Sequence, residues 1–334
     1  MPTTALRLLY FLLVSLVALH LWSNSANAQS DEEQEKHPVQ IVMKNVMYHY
    51  TDSIAVHIFH LQGQLLPDTA GAIVVFDDKN SFTLNLASAE IAIDCHVLAQ
   101  VLDENILSAA DAPIKALTIE SRNNQLIIKG KFHQKGDVAF ETTGTLSANG
   151  DGRIRLHSEH VKAAHLPLKG LMDLLGIDLA GMINTKKIRG LAVEKDDLLI
   201  DPREILPAPR IQGKVTAVRL QGNDIVQTFG SPQPADFAAR QSGNYIAFHD
   251  GNMRFGKLTM FGSDLFMIDT DPRDPFDFFL DHYQEQIVAG YAKSTLDLGL
   301  RVHTVDYNKL HRRAAAIRKD SSRLPSVSVP KAQN

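Results

Sequence analysis

The chain reads as an α+β protein in which an antiparallel meander packs against two apolar helices, with a C-terminal strand-and-helix extension. Three observations predict this. Four strand candidates follow one another between Ile114 and Lys162, joined by links too short for a parallel crossover. Two segments, 97–107 and 167–183, repeat apolar residues at helical spacing. Period-two alternation recurs on both sides of them.

The N-terminus comes first. Arg7 precedes an apolar run from Leu8 to Trp22 broken only by Ser15 and His20, and Ala26-Asn27-Ala28 has the small-x-small form of a cleavage site. Residues 1–28 are therefore expected to be a signal peptide cut after Ala28, sending the protein to the periplasm or outside the cell. Retention as an anchor is the alternative, because a spanning helix needs about 20 apolar residues. Cleavage removes Arg7 and moves the formal charge from -4 to -5. That balance argues against nucleic acid, which is met by a strongly basic face. Cys95 is the only cysteine, so no intramolecular disulfide forms, and its distance from the cleavage site excludes an N-terminal lipid anchor.

Residues 29–38 are polar and acidic, a disordered leader. The stretch Val39–Leu66 reads as extended, with Ile54, Val56 and Ile58 alternating with Ala55, His57 and Phe59. Pro67 to Gly71 is turn chemistry, and strands resume at Ile73–Phe76 and Phe82–Ile93. Asp94 is placed to cap a helix carrying Leu98, Val101, Leu102 and Ile106 on one face, which Pro113 stops. The four meander strands follow at Ile114–Glu120, Gln125–His133, Asp137–Ser147 and Arg153–Lys162. A second helix is expected to start at Pro167, with Leu168, Leu171, Met172, Leu175, Leu179, Met182 and Ile183 in one stripe. Residues 188–200 return to strand. Asp201-Pro202-Arg203-Glu204 then reads as a capping box opening a short helix. A hairpin runs from Ile211 to Phe229 through Gln221-Gly222-Asn223-Asp224.

The segments HVLAQVLDENI, KALTIESRNNQLIIKGKF, VAFETTGTLSANGDGRIRLH and LPLKGLMDLLGIDLAGMI, taken in that order, resemble the LmeA-like phospholipid-binding proteins of bacterial envelopes, which are related in architecture to the tubular lipid-binding superfamily. The resemblance spans about residues 85–220 and rests on element order, without a catalytic signature. It implies a curved, elongated antiparallel sheet wrapped against helix, an apolar groove between them, and phospholipid or another acyl-chain ligand in that groove. On this reading 39–230 is a lipid-binding-like domain. The lining falls to Leu98, Val101, Leu102, Leu168, Leu171, Met172, Leu175, Leu179, Met182 and Ile183. For any single one of these residues, plain packing on the sheet is the favoured alternative.

Residues 231–308 form an extension of that domain or a small second one. Strands are expected at Tyr245–His249 and Arg254–Asp269, turning at Asp250-Gly251-Asn252, and a helix at Phe276–Lys293. Asp269, Asp271, Asp274 and Asp277 have the look of a calcium loop but lack its glycine and terminal glutamate. Asp274-Pro275 instead suggests a helix cap. His57 and His60, three apart on a strand, should point to opposite faces and share no metal. Cys95 beside His96, and a triad from distant segments, are the only openings for catalysis, and no G-x-S-x-G elbow nominates a serine.

Residues 309–334 carry seven Lys or Arg against Asp320, a disordered basic tail that offers peripheral contact with anionic lipid. The sequence thus predicts an exported, non-catalytic, phospholipid-binding envelope protein that needs no cofactor or metal. An envelope scaffold with a filled core and a protein partner is the alternative, and a hydrolase a third.

Overall fold

Long strands with alternating burial dominate the molecule. The computed structural model describes residues 38–105, 114–132, 137–163, 166–168, 189–194, 197–231, 235–296 and 299–310. Strand β1 (Val39–His49) buries Val39, Ile41 and Met43, and β2 (Ala55–Pro67) buries Val56, Ile58, Leu61 and Leu65. After the short β3 (Val74–Val75) comes β4 (Phe82–Asp94), antiparallel to β2. The chain then leaves this sheet through a helix, Cys95–Asn105.

The expected meander is present as β5 (Ile114–Arg122), β6 (Gln125–Phe132), β7 (Val138–Ala148) and β8 (Ile154–Ala163), paired in sequence order. It belongs to a separate sheet of seven strands, completed by β9 (Leu166–Leu168), β10 (Leu191–Glu194) and β11 (Asp197–Ile200). The short helix Pro202–Ile205 and β12 (Arg210–Gln212) return the chain to the first sheet. There β13 (Val215–Gln221) and β14 (Asp224–Gly230) add to β4. On the other side stand β15 (Tyr245–Phe255) and β16 (Leu258–Asp269), then β17 (Phe276–Phe279), the helix Tyr283–Val288, β18 (Tyr291–Ser294) and β19 (Leu300–Thr304).

The single sheet expected is therefore two, a curved 12-stranded sheet and the 7-stranded meander sheet. The large one is mainly antiparallel, with parallel pairings of β3, β12, β17 and β19. Of the two apolar helices, Cys95–Asn105 is described, whereas residues 169–183 of the second lie outside the described residues. Its expected start is corrected: Leu166–Leu168 is extended and pairs with β8. Proline is compatible with such a strand where its missing N–H faces no partner.

Sharp changes of face explain how strands of 11 to 13 residues bend. Burial steps by three from Met43 to Val46 and from Ile58 to Leu61, and Asn45 sits at φ 51° where the β1 edge passes from β15 to β17. The pairing of β2 with β4 shifts beside Phe59 and again at Gly63. A Cβ on Gly63 would lie 2.4 Å from the Asn85 carbonyl oxygen, so glycine lets the two backbones meet there. The shift beside Phe59 corrects the expected placement of the histidines. Ile58 and Leu61 both face the core, so His57 and His60 share the outer face. His57 Nε2 there meets Asn45 Oδ1 at 2.8 Å, and Asn45 donates on to Asn244.

The C-terminal part departs further from periodicity. The turn between β15 and β16 lies at Gly256-Lys257, while Asp250 and Gly251 adopt positive φ inside β15. Phe276–Phe279 is a strand with all four side chains buried, and helix is confined to 283–288 plus a 3-10 turn before it. Consecutive aromatic residues favour the pleated, fully covered environment over a helix. Asp274 therefore precedes a strand and caps no helix. Its carboxylate meets Lys309 Nζ at 3.2 Å, and Lys309 also holds Asp271 at 2.9 Å and the fully buried Asp306 at 2.5 Å. Asp277 receives His49 and the Asn308 N–H. Lys309 is thus an anchor of the fold, not part of a free tail. The edge strand β18 is exposed throughout, with Lys293 beside the Tyr291 ring and Tyr291 stacked on His303.

Two carboxylate contacts can be tested by unfolding. Lys309→Met should cost about 2 kcal/mol in urea unfolding by stranding a buried carboxylate, and adding Asp306→Asn should recover most of it. At the helix start, Asp94 Oδ1 accepts from the His96 N–H at 2.7 Å and the Val97 N–H at 3.4 Å. Burial pushes this carboxyl up, but hydrogen bonds from His96, Asn223 and Val97 outweigh it and hold it below 3.8. Asp94→Ala should cost about 1 kcal/mol. The difference from wild type should be complete above pH 3.8 and shrink as pH falls through the lower folded value, read from unfolding midpoints.

Candidate functional site: an apolar seam between the sheets

The inward faces of both sheets meet in one apolar seam. Ile41, Met43, Leu61 and Leu65 supply one wall from β1 and β2, and Leu84 and Leu86 continue it on β4. Leu126, Leu146 and Ile154 face them from the meander sheet. The return crossover adds Pro202, Ile205, Leu206, Pro209 and Ile211. Within each run between register shifts the lining residues alternate, as Ile41 with Met43, Val56 with Ile58 and Phe82 with Leu84 and Leu86. Asp201 starts the crossover helix by accepting the Arg203 N–H at 3.0 Å, with proline in its first turn. The reciprocal half of the expected capping box is not made, because the Asp201 N–H donates to the Gly190 carbonyl and Glu204 takes Arg189.

Aromatic rings crowd around Phe76 in this interior. Its ring lies 6.0 Å from Phe82, 4.7 Å from Phe248 and 5.3 Å from Phe255, the last two edge-on. Tyr48 and Tyr50 line the seam 5.1 Å apart, and burial pushes both phenols far above their ordinary range, so they stay neutral. Gln227 is the one amide among the lining side chains. The free cavity amounts to only about 50 Å³. Less than two waters at about 30 Å³ each would fill that volume.

Of the residues nominated from sequence, Leu98 lines the seam. Val101 and Leu102 are buried in the same core without lining it. Leu168 lies on β9, and Leu171, Met172, Leu175, Leu179, Met182 and Ile183 fall outside the described residues. Sequence reasoning missed the walls on β1, β2 and β4. Their signal is present as Ile41 with Met43 and as Phe82, Leu84 and Leu86 at period two, a pattern that marks a strand without marking a cavity wall.

The other chemical candidates resolve into structure. Among the described residues no group of three or more His, Cys, Asp or Glu could hold a metal. His49 and Asp277 form a dyad at 2.5 Å, with the His49 ring stacked 5.4 Å from Phe279. His49 Nδ1 has no partner among the described residues, so no hydroxyl or thiol there completes a triad. His57 is held below its usual range by burial, against an opposing effect of Asp224. Cys95 is fully buried, and burial, with Asp94, Asp224 and Glu120 nearby, pushes its thiol up to about 12. No family model, curated protein or solved structure matches the chain.

The thiol gives a direct check. Cys95 should resist a water-soluble disulfide reagent at pH 8 in native buffer and react completely in denaturant, because only the thiolate attacks. Fast labelling of the native protein would contradict the placement.

Proposed function

We propose that this chain is a non-catalytic, exported lipid-binding protein of the bacterial cell envelope, holding acyl chains in the seam between its two sheets. The observation that carries this is the lining: two opposed sheet faces and a crossover converge on one continuous apolar surface without a charged side chain. Each methylene transferred from water into such surroundings gains about 0.8 kcal/mol, so a sixteen-carbon chain gains roughly 12 kcal/mol against the work of parting the walls. Branched and aromatic side chains make that parting a matter of rotamer changes and sheet separation. The resemblance to LmeA-like proteins supports phospholipid as the class. The expected second helix over 167–183 is not needed for this reading, because strands and crossover supply the wall.

A second reading is favoured by the small free volume: a filled core, and an envelope scaffold that works through its surface. Native mass spectrometry separates the two. Protein purified from an envelope-competent bacterial host should carry a stoichiometric acyl-chain ligand, released on extraction. Leu84→Phe with Leu86→Phe, which thickens one wall, should lower uptake of added fatty acid at least tenfold while shifting stability by no more than about 1–3 kcal/mol. A clean apo mass, together with no uptake of added lipid, would establish the scaffold.

A further inference from the structure

A polar cleft of about 570 Å³ backs onto the seam at the return crossover. Three arginines and three carboxylates line it. Arg203 forms a forked pair with Asp201, at 2.7 and 2.6 Å, and that pair is fixed because Asp201 also holds the Arg203 N–H. The other two pairs are more open. Arg189 Nε meets Glu204 at 2.5 Å, and Arg210 Nη2 meets Asp68. Their arginine side chains are 67% and 62% exposed, which leaves guanidinium N–H donors within reach of a ligand.

The crossover is the partition between this cleft and the seam. Along β12 the pattern is exposed, buried, exposed: Arg210 and Gln212 face the cleft, and Ile211 lines both spaces. The two open pairs fasten the partition on both sides, Arg210 to the loop after β2 and Glu204 to the turn before β10. Charges in the cleft cancel, three against three. A ligand of single sign gains nothing from the summed field of such a site, whereas a ligand carrying both signs finds a partner for each.

We infer that the cleft is a head-group site for a zwitterionic amphiphile, whose phosphate takes the free N–H groups of Arg189 and Arg210 while its ammonium lies by charge against the carboxylates of Asp68 and Glu204. The chain passes Ile211 into the seam as the two pairs loosen. This rests on the seam reading above and names the polar end of the same ligand.

The test compares four probes on the full-length mature protein by equilibrium dialysis: palmitoyl lysophosphatidylcholine, palmitoyl lysophosphatidylglycerol, hexadecanol and free phosphocholine. The zwitterionic lipid should bind at least tenfold more tightly than the anionic one, and phosphocholine at least a hundredfold more weakly than either. In the Arg210→Gln, Asp68→Asn double variant, in which one charge of each sign is removed, the zwitterionic preference should fall below threefold with hexadecanol binding unchanged. If hexadecanol binds but the wild type shows equal affinity for both head groups, the cleft inference fails and the seam reading stands. The cleft inference fails equally if phosphocholine alone binds as tightly as the lipid. Failure of all three chain-bearing probes overturns the seam reading and this one with it. The wild-type comparison decides the matter even if the double variant does not fold.

Discussion

The architecture depends on the joint at which the chain leaves the large sheet for the helix that follows β4. Asp94 is the last residue of β4 and caps the helix that begins at Cys95, so strand and helix share a boundary. Asn223, in the β13–β14 turn, completes the joint. Its carbonyl accepts the Cys95 N–H, its side-chain oxygen accepts the Ser121 N–H, and its amide donates to Asp94. One asparagine thereby ties the large sheet, the helix and the edge strand β5 of the second sheet. Helix termini leave donors that must be met by something. Meeting them with the joint itself fixes the angle at which the second sheet folds over the first.

The seam follows from that angle together with the way long strands share their neighbours. Each of β1, β4 and β15 pairs with different strands along the two halves of one edge. Asn45 marks such a change of partner in β1, and its positive φ suits asparagine better than most residues. A sheet whose strands change partners in this way curls and coils, and curling is what brings inner faces of β1, β2 and β4 opposite the meander. The polar chain from His57 through Asn45 and Asn244 to Asp269 lies behind this bend and keeps its buried polar groups satisfied.

Much of this was legible in the residues and some was not. Alternation marked the strands through Phe229, and Asp94 and Asp201 announced their helices because capping is chemistry within three residues. The two-sheet arrangement was not legible, since nothing local distinguishes a strand that adds to the first sheet from one that founds a second. His57 and His60 were misplaced because a bulge changes which face a residue takes without changing the residues around it. Phe276, Phe279 and Tyr283 have helical spacing, yet Phe276-Asp277-Phe278-Phe279 lies in a sheet whose parallel partner is Val46–His49, far away in sequence. The seam lining on β1, β2 and β4 was visible as apolar periodicity, but periodicity does not say whether a buried side chain meets another or faces a shared cavity.

The outer strand β18 carries one more implication. A sheet of this size ends somewhere, and an open edge invites pairing with another molecule. Here the edge is four residues long, wholly exposed, and carries Lys293 beside Tyr291. A short strand offers few ladder bonds, and a lysine stacked against its own neighbour places charge where an incoming backbone would have to dock. The protein's protection against edge-to-edge aggregation at this end therefore resides in brevity and one ammonium group, leaving the long apolar strands shielded in the sheet's interior.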